Sequence, residues 1–237
     1  MTTTATTEFN LDLNDLIEEA FERAGAELRT GYDFRTARRS LNLLFAEWAN
    51  RGINLWTVEQ GVQALNADQA TYDLPVDTVD LLEHVIRTNA GTSIQNDIAI
   101  SRITVSTYAS LPNKTATGQP IQIYINRRSG ATAPGPTIQY PQFTLWPVPN
   151  VSDTYQLVYW RLRRILDAGN GSNTQDIPFR FLPCLVAGLA YYIALKLPNS
   201  IERVPMLKEI YDEAWQQAQD EDRDRSSWNI VPRQMYI

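Results

Sequence analysis

The chain has 237 residues, 43% hydrophobic and 20% charged, enough for one sizeable core or for two smaller modules sharing an interface. Its formal net charge of -6 and pI near 4.9 exclude general affinity for nucleic acid, because gripping phosphates needs a clustered positive surface. They do not exclude a protein that surrounds DNA without gripping it. The basic residues are mostly arginine, with Lys114, Lys196 and Lys208 the only lysines. Cys184 is alone, so no intrachain disulfide can form, which fits a reducing compartment. The opening MTTTATTEFN has neither a basic region nor an apolar run, and reads as neither signal peptide nor membrane anchor.

In chain order, Asp12 is expected to cap a helix whose buried face carries Leu13, Leu16, Ile17, Ala20, Phe21 and Ala24, ending at Gly25. Asp33 is expected to cap a second helix bearing Phe34, Ala37, Leu41, Leu44, Phe45 and Trp48, ended by Gly52. Two helices joined by a short loop should pack as a hairpin. Arg35, Arg38 and Arg39 lie on the polar side of the second helix, either as solvated decoration or as an intersubunit contact.

From Ile53 the period becomes alternating. Leu55–Gln60, Gly61–Leu65 and Ala70–Leu74 read as short strands, and Leu81–Arg87 as a further strand. Ile98–Leu111 stays open between strand and short helix. A strand at Ile121–Asn126 puts Ile121, Ile123 and Ile125 on one face, and residues 127–136 form an exposed loop. Tyr140–Leu166 reads as a hairpin closed by a Pro-Asn-Val-Ser-Asp turn. Its second strand is partly apolar on both faces, so it should be central in a sheet or sandwiched between layers.

After the linker at Asp167–Asp176, Pro178–Leu197 is a helix apolar nearly all round, which must be covered on more than one side. Glu202–Asp222 is an amphipathic helix with Val204, Leu207, Ile210, Tyr211, Ala214 and Trp215 toward the core. The expected fold is α+β. A helical domain is built from residues 1–53 and 176–222, a mostly antiparallel β-rich module at 54–166 is inserted into it, and an extended tail occupies 223–237.

The pattern contains no helical histidine pair, phosphate-binding glycine loop, nucleophile elbow or zinc spacing, so no enzyme, metal or cofactor is expected. His84 sits in an apolar setting and reads as structural; Cys184 reads as a small hydrophobe. The tail is different, since Arg223, Arg225, Trp228, Ile230, Val231, Arg233, Met235, Tyr236 and Ile237 mix arginines with large apolar side chains. It folds back on its own domain or docks on another chain; the second is favoured because aromatic and arginine residues together anchor interfaces.

The order of LNDLIEEAFERAG, LNLLFAEWANRGINLWTVEQG, YDLPVDTVDLL, GQPIQIYINRR, FTLWPVPN and IPFRFLPCLVAGLAYYIALKLP resembles the head-to-tail adaptor proteins of tailed bacteriophages. It is most similar to the adaptors of short-tailed phages, the group that includes the tail tubular A and packaged-DNA-stabilisation proteins, though the β module is larger than in their mainly helical members. The resemblance implies a homo-oligomeric ring of twelve copies below the portal protein, extending the channel through which DNA passes without sequence-specific binding. It implies residues 223–237 as the portal-docking segment, and a tail nozzle, tail tube or fibre protein as the next component. It places the chain in the virion neck, in the host cytoplasm during assembly, and at no membrane. A neck or tail-completion protein of a long-tailed or contractile phage is one rival. A carbohydrate-binding module using Tyr124, Tyr140 and Tyr159 is another.

Overall fold

The computed structural model describes residues 6, 9–29, 31–128 and 139–223. Helices α1 (Leu13–Ala24) and α2 (Gly31–Arg51) come first, followed by a 3-10 turn at Leu55–Thr57. Strands β1 (Val58–Ala64), β2 (Thr71–Asp73), β3 (Thr78–Thr88), β4 (Asn96–Ala99) and β5 (Ser101–Ile103) precede the short helix α3 (Val105–Ser110). Then come β6 (Thr117–Gly118), β7 (Gln122–Asn126), β8 (Gln142–Trp146), β9 (Val148–Pro149) and β10 (Tyr155–Arg163). Helices α4 (Leu182–Ala194) and α5 (Val204–Glu221) follow, each led in by a 3-10 turn. The chain is α+β, and it divides into two compact units, Met1–Trp56 with Ile165–Ile237, and Thr57–Arg164.

In the helical unit, α1 begins where the Asp12 carboxylate accepts the Asp15 N–H at 2.9 Å. It stops at Gly25, whose φ of 78° suits a residue without Cβ. Helix α2 starts two residues before the expected cap, so Asp33 lies inside its first turn, where a carboxylate faces the positive end of the helix dipole. The expected hairpin of α1 on α2 is a minor contact. Each packs more extensively on α4, because α4 is apolar on nearly every face and needs a partner on each. Helix α5 covers α4 with Leu207, Tyr211, Trp215 and Ala218. Ile210, expected to point inward, falls off this stripe and is exposed. Gly188 permits the approach of α2 and α5 to α4, since a Cβ there would lie 2.8 Å from the Tyr211 ring and 3.0 Å from Leu44.

A polar network runs through this apolar seam. Trp48 Nε1 donates to Tyr211 Oη at 3.1 Å, and Tyr192 Oη donates to Glu47 Oε2 at 2.6 Å. Arg51 pairs with Glu47 at 2.8 Å and lies 4.7 Å over the Trp215 ring. Burial, reinforced by the hydrogen bond to Glu47, pushes the Tyr192 hydroxyl up to about 12. Burial also raises Tyr211, so both phenols stay protonated donors.

The second unit holds two four-stranded sheets, ordered β1-β10-β3-β4 and β2-β8-β7-β5, plus the β6-β9 pair. Leu81, Ile86, Leu157 and Tyr159 of the first sheet share one core with Tyr72, Ile123, Phe143 and Leu145 of the second. The sheets therefore pack face to face. Strand β10 is central, flanked antiparallel by β1 and β3, in keeping with its two apolar faces.

The hairpin expected over Tyr140–Leu166 does not form. Strands β8 and β10 belong to opposite sheets. Pro147 and Pro149 have no N–H for a ladder, and Val148–Pro149 pairs instead with β6 as the chain crosses between sheets. Gly61 does not split β1 in two as expected. The Tyr159 ring lies over Gly61, where a Cβ would come within 2.4 Å of it, so the strand runs through under the ring. The open stretch Ile98–Leu111 resolves into the end of β4, β5 and α3, with Thr104 capping α3 through the Thr107 N–H at 3.2 Å. In β7 only Ile123 and Ile125 are buried; Ile121 precedes the strand and is exposed.

Candidate interaction surfaces

A groove of about 750 Å³ opens in the helical unit between α1 and the start of α4. Its apolar side is formed by Leu11, Leu182, Pro183 and Val186 together with Phe9 and Phe179, which stay 77% and 72% exposed. Its other side is the polar face of α1, carrying Asp15, Glu18, Glu19 and Glu22. Helical spacing explains the division, because α1 turns its apolar stripe to the core and leaves its acidic residues along the rim. Glu19 is paired with Arg23 at 2.7 Å. Asp15, Glu18 and Glu22 have no ion-pair partner among the described residues, so the rim is net negative.

A second surface centres on α2, where Arg35, Arg38 and Arg39 are all exposed. Arg39 borders a pocket of about 290 Å³ lined also by Tyr32, Asp33, Thr36 and Lys196. Lys196 Nζ donates to Ser40 Oγ at 2.5 Å, and Ser40 donates to the Thr36 carbonyl at 3.0 Å. Burial, helped by the charge of Arg39, holds the Lys196 ammonium below its usual range.

Of the tail residues singled out from the sequence, Arg223 is described: it is exposed and pairs with Asp220 one turn back at 2.5 Å. Arg225, Trp228, Ile230, Val231, Arg233, Met235, Tyr236 and Ile237 lie outside the described residues. The aromatics of the carbohydrate reading do not converge. Tyr159 is buried in the sandwich core, whereas Tyr124 stacks on Tyr108 at 5.3 Å and Tyr140 stands exposed beside the start of β8. Burial pushes the Cys184 thiol up to about 12, which leaves it unreactive. Among the described residues no group of three or more His, Cys, Asp or Glu is arranged to hold a metal ion, and no helix is long and apolar enough to cross a membrane.

Residues 11–234 match a family described as SU10 adaptor protein, nearly the whole chain. The chain belongs to the SU10 adaptor family. Membership makes it a phage head-tail adaptor, a structural component of the virion. No curated protein sequence matches the chain.

Two features of the adaptor escaped the sequence reading. The groove joins α1 to a helix far along the chain, and nothing local marks Phe179 as its lip. The connections between units are also pinned inside the helical unit. The Asp222 carboxylate accepts the Asn54 N–H at 2.7 Å and the Leu55 N–H at 3.3 Å. The Asp176 carboxylate accepts the Leu166 N–H at 3.1 Å, while its carbonyl accepts Trp56 Nε1 at 2.9 Å. The signal available in the sequence was an aspartate at the end of each expected helix or linker, too common a pattern to single out.

Proposed function

We propose that the adaptor assembles as a ring of twelve copies beneath the portal protein, extends the DNA exit channel and offers the platform on which the next tail component, a nozzle, tube or fibre protein, attaches. The observation that carries this reading is the family match across residues 11–234. In this reading residues 1–53 and 176–222 form the ring wall, 54–166 the module that meets the tail, and 223–237 the portal anchor. Arg35, Arg38 and Arg39 project from α2 as the contact to a neighbouring copy, a use that suits exposed guanidinium groups. A net charge of -6 suits a channel wall, since like charge keeps DNA from adhering as it leaves. The resemblance to short-tailed phages favours a short-tailed virion over a long-tailed neck.

Electron microscopy of the purified chain mixed with its portal protein tests the proposal. The expected result is a ring of twelve copies stacked on the portal. Failure of the two to associate, together with absence of the chain from the necks of virions, overturns it.

A further inference from the structure

The groove between α1 and α4 combines an apolar floor with an acidic rim, and two large aromatics at its mouth are left exposed. Its occupant should therefore be an extended segment with large apolar side chains and an excess of positive charge. Residues 224–237 of this chain have that composition, with Trp228, Ile230, Val231, Met235 and Tyr236, and with Arg225 and Arg233 against a single acidic residue, Asp224. The root of the segment is also close at hand. Arg180, on the groove lining, reaches Glu221 at the end of α5 at 3.7 Å. Fourteen residues leaving from that point span up to about 45 Å when extended, ample for lying along a groove next to their own helix.

We propose that this groove is the resting site of the chain's own 224–237 segment, and that portal binding transfers the segment from the groove to the portal. The transfer, but not the docking, rests on the portal-anchor reading above. In the groove, the apolar side chains of the segment cover Phe9 and Phe179, and its arginines face Glu18 and Glu22. A free chain then hides the surface that it later offers to the portal.

The test uses the full chain with p-benzoylphenylalanine in place of the exposed Phe179. Photo-cross-linking is run on a mixture of isotopically light and heavy chains, and cross-linked peptides are read by mass spectrometry. Cross-links from position 179 to residues 224–237 within one isotope form are expected. The double variant Glu18→Lys, Glu22→Lys, which alters only exposed side chains, should lower their yield about fivefold, as reversal of two surface charge contacts implies. Cross-links joining light to heavy chains, or none to residues 224–237, overturn the docking. Adding portal protein should deplete the within-chain cross-links in portal-bound chains. Cross-links that persist there overturn the transfer and the portal-anchor reading while the groove assignment stands. Portal attachment that depends on the tail without any groove cross-link overturns the groove assignment alone.

Discussion

Tyr159 and Arg161 show how single side chains close the β sandwich. Tyr159 fills the core over a glycine; Gly61→Val would drive methyl groups into its ring and cost about 2 kcal/mol of overpacking, read as a lower urea midpoint. Two residues on, the same face of β10 turns polar. Arg161 bonds Asp77 and Glu59 at 2.7 Å each, and Arg163 bonds Glu59 at 2.6 Å, so the edge of the core ends in a satisfied charge network. Burial by itself would raise the Asp77 pKa, but the hydrogen bond and charge of Arg161 outweigh it and hold the carboxyl below 3.8. His84 sits at 8% exposure with neither ring nitrogen hydrogen-bonded among the described residues, the Ile100 backbone falling short of bonding geometry. Burial holds its pKa below 6.5, with the nearby Glu83 opposing the shift and Arg102 adding to it. Both folded-state values are depressed, so both contributions are complete above the unfolded values and are lost on acidification. Stability should begin to fall below 6.5 as the unfolded chain takes up a proton on His84, and fall again below 3.8 through Asp77. His84→Leu should abolish the first decline and keep the second, measured as urea midpoints at about pH 7.5, 5.5 and 3.5.

At the scale of elements, the helices were legible because their signals are local. Asp12, the three-four spacing of α1 and Gly25 lie within fourteen residues of chain, and each acts as the sequence implies. Position within a stripe was less secure, as exposed Ile210 shows, because one residue turns a helix by about 100° and only the partner decides which margin is covered. The strands were found but mispaired. Alternation identifies β8 and β10 as strands and says nothing about which sheet receives them. Where the chain leaves and re-enters the helical unit, Asp222 and Asp176 act as backbone receptors. Asp222→Ala should therefore remove amide-exchange protection from Asn54 and Leu55 and cost about 2 kcal/mol, the scale of hydrogen bonds to a charged acceptor. Unchanged protection at those two amides would contradict this anchoring role.

For the whole molecule, the helical core is complete without the tail, since α1, α2, α4 and α5 cover one another's apolar faces. Deleting residues 223–237 should leave the far-ultraviolet circular dichroism unchanged and abolish attachment to the portal. Attachment that survives the deletion would remove the tail as the anchor. With residues 224–237 seated in the groove as proposed, the same deletion should uncover Phe9 and Phe179 and increase binding of an apolar dye, a readout independent of the portal.

The sequence by itself determined the class of fold, the four long helices, the cap and stop of α1, the covered state of α4 and the central place of β10, because each depends on periodicity or capping within a few turns of chain. The order of its segments also pointed to the adaptor family. Tertiary structure alone decided the sheet to which each strand belongs, the aspartates that hold the unit connections, and the groove that joins α1 to Phe179 and Val186. Those depend on partners such as Arg161 with Glu59, 102 residues apart, and Asn54 with Asp222, 168 apart. Local pattern states which face of an element must be buried, whereas the identity of the residue that buries it is settled only when distant segments compete for the same surface.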